Sequence, residues 1–133
     1  MTICLFKATI QIMEAIPKAA KTYKTLEGKK PFTEWFRALK DSKGKVAIVD
    51  RIDRAKLGNL GNYEPVGEGV LELKIFVGPG YRVYIGLDGQ ELVILLCGGD
   101  KSTQARKDIE LALKYWADYK AQKELERELE KGE

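Results

Sequence analysis

Val70-Leu71-Glu72-Leu73-Lys74-Ile75-Phe76-Val77, then Gly78-Pro79-Gly80, then Tyr81-Arg82-Val83-Tyr84-Ile85-Gly86-Leu87 and Asp88-Gly89 form one unbroken run. Its period is two. Leu71, Leu73, Ile75 and Val77 fall on one side of a strand, and Glu72, Lys74 and Phe76 fall on the other, so the strand has a core face and a mixed face. Gly78-Pro79-Gly80 turns the chain into a second strand, Tyr81 to Leu87. Asp88-Gly89 is a type I′ hairpin signal leading to a third. That third strand, Leu92 to Cys97, is apolar without alternation, which predicts a central strand buried on both faces. The expected unit is a three-stranded antiparallel meander.

Upstream, Ala19 to Leu26 reads as an N-terminal strand, and Phe32, Trp35, Phe36 and Leu39 recur at helical spacing behind Pro31, a residue suited to a first helical turn. A second helix is expected from Lys43 to Leu57. Ile48, Val49, Ile52 and Ala55 form its apolar stripe, Asp50, Arg51, Asp53 and Arg54 its wet face, and Gly58 its left-handed cap. The short Asp41-Ser42 connection implies a two-helix hairpin. Downstream, Ser102 or Thr103 can cap a C-terminal helix with Ile109, Ala112, Leu113, Trp116 and Tyr119 as its buried stripe. The order strand, two helices, meander, helix defines an α+β layer structure. Residues 1–18 are expected to be an N-terminal extension, with Met13 an alternative start, 19–120 the domain, and 121–133 a charged helical tail.

The 133 residues suffice for one core, and 44% hydrophobic with 32% charged residues is ordinary for a globular protein. The net charge is +3, but Asp118 to Glu133 holds four basic and six acidic residues, so the remainder is more basic than the total suggests. That bias is compatible with nucleic acid without requiring it. Cys4 and Cys97 are too few for a disulfide framework, which favours the cytoplasm, and Lys7, Gln11 and Glu14 interrupt the apolar start before it reaches membrane-spanning length. No histidine is present, which removes Ser-His-Asp triads and most zinc sites. No phosphate-binding glycine fingerprint precedes a helix either, so neither metal nor cofactor is expected.

The chemistry left lies on the mixed face of the sheet. Glu72 and Lys74 share one side of their strand, Arg82 and Tyr84 one side of the next, and the opposite placement of Leu73, Ile75, Val83 and Ile85 makes the four polar groups converge. Lys101 stands at the open end of the neighbouring strand, before a helix N-terminus. Such a cluster suits a phosphodiester. Cleaving RNA through its own 2′-hydroxyl requires a base, an acid and cations for the charge that builds on phosphorus. Arg82 fits the clamp, Lys74 and Lys101 charge stabilisation or proton transfer, and Glu72 and Tyr84 acid or base. Gln104 and Asp108, on the first turns of the last helix, are candidates for substrate contact. The plain alternatives are solvated charges, a cross-strand Glu72 ion pair, a packing role for Tyr84, and helix capping for Gln104 and Asp108.

Several strings occur together: Pro31-Phe32-Thr33-Glu34-Trp35, Leu57-Gly58-Asn59-Leu60-Gly61-Asn62, Gly78-Pro79-Gly80-Tyr81-Arg82-Val83-Tyr84 and Leu95-Leu96-Cys97-Gly98-Gly99-Asp100-Lys101-Ser102-Thr103-Gln104, with Asp108-Ile109 after them. Over residues 19–120 the chain resembles the addiction-module killer proteins of the RelE/HigB superfamily of type II toxins. The resemblance implies a RelE-like fold and a metal-independent mRNA endonuclease acting on the ribosome. It also implies a cognate antitoxin, commonly with a helix-turn-helix domain and encoded beside the toxin. It matches Arg82 to the arginine that follows a Gly-Tyr pair, and Lys101 to the basic residue after the last strand. Lys74 fits one of two lysines in the preceding strand, Glu72 stands at the other, and a C-terminal tyrosine used by some relatives has no counterpart. ParE-like gyrase poisoning, or an inactive antitoxin-binding remnant acting at its own operator, stays open beside it.

Overall fold

The computed structural model describes residues 18–89 and 92–132; the expected N-terminal extension as far as residue 17, Met13 included, and residues 90 and 91 of the Asp88-Gly89 hairpin lie outside the described residues. Five strands and three helices follow in the order β1 (Ala19–Thr22), α1 (Pro31–Ala38), α2 (Ser42–Lys56), β2 (Tyr63–Gly67), β3 (Val70–Ile75), β4 (Tyr81–Asp88), β5 (Leu92–Asp100) and α3 (Ala105–Lys131). The architecture is mixed α+β, as expected. The strands make one sheet in the order β1-β5-β4-β3-β2. Strands β2 to β5 pair antiparallel, and β1 joins β5 in parallel.

The meander therefore has four strands rather than three. β2 escaped notice because Pro65 and Gly67 sit in it, two residues that strands avoid except at an edge or a bulge, and β2 is the edge strand with an irregularity between them. β2 is held by its pairing with β3, and Arg51 ties the loop before β2 to β3, so it belongs to the packed structure and not to the wet face of its helix. Its Nη1 donates to the Lys74 carbonyl at 2.7 Å, and its Nη2 to those of Leu60 and Asn62 at 2.6 and 2.7 Å. Val49 corrects in the other direction, being 46% exposed, while Ile48, Ile52 and Ala55 carry the buried stripe. Gly58, with φ of 89°, takes the left-handed position after α2, and its N–H donates to the Ala55 carbonyl. β1 ends early, at Thr22, because Thr25 to Lys29 close a turn through Thr25 N–H to Lys29 O and Gly28 N–H to Thr25 O.

β5 is interior and buried on both faces at Ile94, Leu95, Leu96 and Cys97, although β4 is the middle strand. The missing alternation has a specific cause. Ile85 faces Leu95 but Tyr84 faces Cys97, so Leu96 is an extra residue, and the bulge turns Leu96 and Cys97 to the same side. α1 and α2 cover one face of the sheet, packing Phe32, Ile48 and Ile52 on Leu73, Val83 and Ile85. α3 covers the other with Ala112, Trp116 and Tyr119 over Tyr84, Ile94 and Leu96, while Ile109 and Leu113 are partly buried at its flank. α3 crosses residue 120 without interruption, and Lys123 of the expected tail pairs with Asp88. Neither Ser102 nor Thr103 caps it; the N-cap residue is Gln104, with no side-chain cap bond.

Gly98 is a packing requirement. A Cβ there would run into the six-membered ring of Trp35, whose Nε1 donates to Asp100 at 3.3 Å. Gly98→Ala is expected to destabilise the fold by about 1–3 kcal/mol, the usual effect of overpacking a filled core. Urea unfolding should give a lower midpoint with an unchanged slope, and an unaltered midpoint would contradict the packing described.

Candidate functional site

The strand register decides which side chains meet. Glu72 lies opposite Tyr84 and Lys74 opposite Arg82, so all four share the face that α3 partly covers. α3 divides this face into a buried half and an open half. Under the helix, Tyr84 is completely buried and donates its hydroxyl to Glu72 Oε2 at 2.7 Å, and Glu72 itself is 5% exposed. Burial first, and then the hydrogen bond to Glu72, push the Tyr84 phenol far above its ordinary value. Tyr84 is thus a packing and anchoring ring, and the acid or base role is corrected by its enclosure.

At the open end a cleft of about 460 Å³ is lined by Glu72, Lys74, Phe76, Pro79, Arg82, Asp100 and Lys101 among others. Four of the seven candidates thus border one space. Lys74 also pairs with Glu64 of β2 at 3.2 Å, so it stands beside a carboxylate that sequence reasoning did not connect with it. Lys101 is exposed on the turn after β5. Gln104 is exposed at the start of α3 and does not border the cleft.

Arg82 is the best-held charge in the site. Its Nη2 donates to the Asp100 carbonyl at 2.9 Å and lies 3.3 Å from both Thr103 Oγ1 and Asp108 Oδ2. Thr103 Oγ1 in turn lies 2.6 Å from Asp108 Oδ2 and accepts the Asp100 N–H at 3.0 Å. Asp108 stands behind Arg82 instead of facing the cleft, which corrects its placement as a substrate contact. Arg82 Nε is buried with no partner, whereas Nη1 makes no protein hydrogen bond among the described residues and is not among the buried orphan atoms. One nitrogen is fixed from behind, and another is left for a ligand.

The Gly98-Gly99-Asp100 string builds this arrangement. Gly99 pairs with Arg82 across β4 and β5, and a Cβ on it would occupy the place of the Asp108 carboxylate. Asp100 is drawn up by burial but ends below its ordinary value, because hydrogen bonds from Ser102 and Trp35 and the charge of Arg82 outweigh that effect. Asp100 is therefore an ionised cleft wall at neutral pH. Cys97, close by, is buried, and burial together with Asp108 pushes its thiol up to about 12, so it supplies no thiolate. Among the described residues no helix is long and apolar enough to cross a membrane, and no three acidic or cysteine side chains gather as metal ligands.

The fold and site thus define an α+β protein with a cation-lined cleft at one end of its sheet. The chain is 49% identical over 81 residues to a protein of Haemophilus influenzae described as uncharacterized, a match covering 61% of this chain and 81% of that one. It belongs to the same family as that protein. No protein-family model matches the chain, and no solved structure matches it.

Proposed function

We propose that this protein is the toxin of a type II toxin–antitoxin pair, with a RelE-like fold and a metal-independent mRNA endonuclease activity exercised on the ribosome. The observation that carries the reading is Arg82: Nη2 locked to Asp100, Thr103 and Asp108, Nη1 without a protein partner among the described residues, and Lys74 and Lys101 on the same cleft. In the reaction the RNA 2′-hydroxyl attacks the adjacent phosphorus and the bond to the 5′-oxygen breaks, leaving a cyclic phosphate and a 5′-hydroxyl end. Arg82 stabilises the pentavalent charge, and a guanidinium held before substrate arrives needs no reorganisation to do so. Tyr84 is enclosed and Glu72 is bonded to it, so proton transfer falls to Lys74 and Lys101. Its cytoplasmic antitoxin partner neutralises it by binding.

One observation favours the second reading, a gyrase poison or a nuclease-silent antitoxin binder: both carboxylates bordering the cleft, Glu72 and Asp100, already accept hydrogen bonds. Induction in a bacterial host without the antitoxin separates the readings. The expected result is new 5′-hydroxyl ends within coding regions, found by mapping RNA ends. Growth arrest with intact transcripts and trapped gyrase–DNA breaks would replace the nuclease by the poison; normal growth would leave only the binder.

A further inference from the structure

Phe76 lies two residues beyond Lys74, just past the end of β3, and is 76% exposed. The other described phenylalanines and tryptophans are buried or half-buried: Phe32 and Trp116 sit in the two cores, and Trp35 and Phe36 pack against one of them. Single exposed apolar residues are common and need no explanation. Phe76 differs in where it stands. It borders the same cleft as Lys74, Arg82 and Lys101, next to Pro79 of the Gly78-Pro79-Gly80 turn. A rigid aromatic face beside a row of cations is what a single-stranded polynucleotide uses, since the phosphates meet the charges and a base, turned outward, stacks on the ring.

We propose that Phe76 is a stacking platform for a nucleobase of single-stranded RNA, placed next to the phosphate held by Arg82. The proposal rests on the nuclease reading of the cleft and adds to it a contact for the base. Lys74, in register with Arg82, sets the phosphate path, and Phe76, two residues on and just past β3, borders the same cleft. Stacking of this kind tolerates any base, so the platform contributes affinity and alignment with little sequence preference.

The test uses a labelled 2′-O-methyl oligoribonucleotide, which lacks the attacking hydroxyl and so reports binding without cleavage. Phe76→Ala is expected to weaken binding about tenfold, the usual worth of one base–aromatic stack. Phe76→Leu, which keeps apolar bulk without a π face, should weaken it similarly, whereas Phe76→Trp should bind as wild type and show indole quenching on titration. The side chain is exposed, so the variants should unfold in urea with the wild-type midpoint. Binding unchanged in Phe76→Ala but lost in Arg82→Ala would overturn the platform and keep the RNA site. Wild-type protein that fails to bind the oligonucleotide would overturn the platform, while the nuclease reading would still be decided by the RNA ends mapped after induction. A single-stranded DNA of the same sequence bound more tightly than the RNA analogue would overturn the assignment to RNA.

Discussion

Arg82→Ala is expected to abolish growth arrest and to slow RNA cleavage by about 10²–10³-fold, the usual loss when one preorganised donor to a transition-state oxyanion is removed. Arg82→Lys should fare little better. An ammonium can supply charge, but it cannot bond the Asp100 carbonyl, Thr103 and Asp108 with one nitrogen while offering a second to phosphate. Tyr81→Phe is the contrasting variant. Tyr81 is next in the chain but points to the opposite face, where its hydroxyl donates to Asp41 at 2.7 Å in the core under α1 and α2. Its loss should cost a little stability and leave the cleavage rate within a few-fold of wild type. Single-turnover cleavage of mRNA on programmed ribosomes, run beside urea unfolding of the same preparations, separates chemistry from folding. Equal losses in the two variants would put the working surface on the wrong face of the sheet.

Much of this arrangement was legible in the sequence because strand alternation is a local property. Glu72, Lys74, Arg82 and Tyr84 do share a face, and the helix behind Pro31 and the cap at Gly58 stand where the local pattern put them, while the last strand runs three residues past Cys97, to Asp100. What was not legible depends on long-range contacts. The alternation of β3 and β4 does not reveal that α3 roofs half of the mixed face and turns Glu72 and Tyr84 into a buried pair. Arg51 reads as one more charge on a helix until its three carbonyl partners, 9 to 23 residues away, are seen. Asp108 likewise resembles a first-turn acid compensating the helix dipole, and only the register of Gly99 against Arg82 shows what it holds.

Alkaline pH should unfold the protein sharply, because four buried tyrosines have carboxylate acceptors. Tyr23 donates to Asp118 at 2.5 Å, Tyr81 to Asp41 at 2.7 Å, Tyr84 to Glu72 at 2.7 Å and Tyr119 to Asp88 at 2.6 Å. Burial first and the neighbouring carboxylate second for Tyr23, Tyr84 and Tyr119, and the Asp41 bond first and burial second for Tyr81, raise each phenol well above its ordinary value, since ionisation would set two anions side by side in a desolvated place. In the unfolded chain the same phenols lose their protons near pH 10. Above that pH the unfolded state therefore binds fewer protons than the folded state, and stability falls as pH rises. Each tyrosine removes about 1.4 kcal/mol per pH unit in this window, so the four together remove about 5.5. Against a total of about 5–15 kcal/mol for an ordinary domain, that suffices for a cooperative transition one to a few pH units above 10. Tyrosinate absorbance should then rise together with the loss of far-ultraviolet circular dichroism, instead of preceding it along a simple titration curve. Tyr119→Phe should reduce the slope of stability against pH by about a quarter, because Asp88 keeps Lys123 as a partner and the fold loses one titrating group. Independent ionisation of all the tyrosines near pH 10, with the circular dichroism retained, would show that these hydroxyls are not enclosed beside their carboxylates.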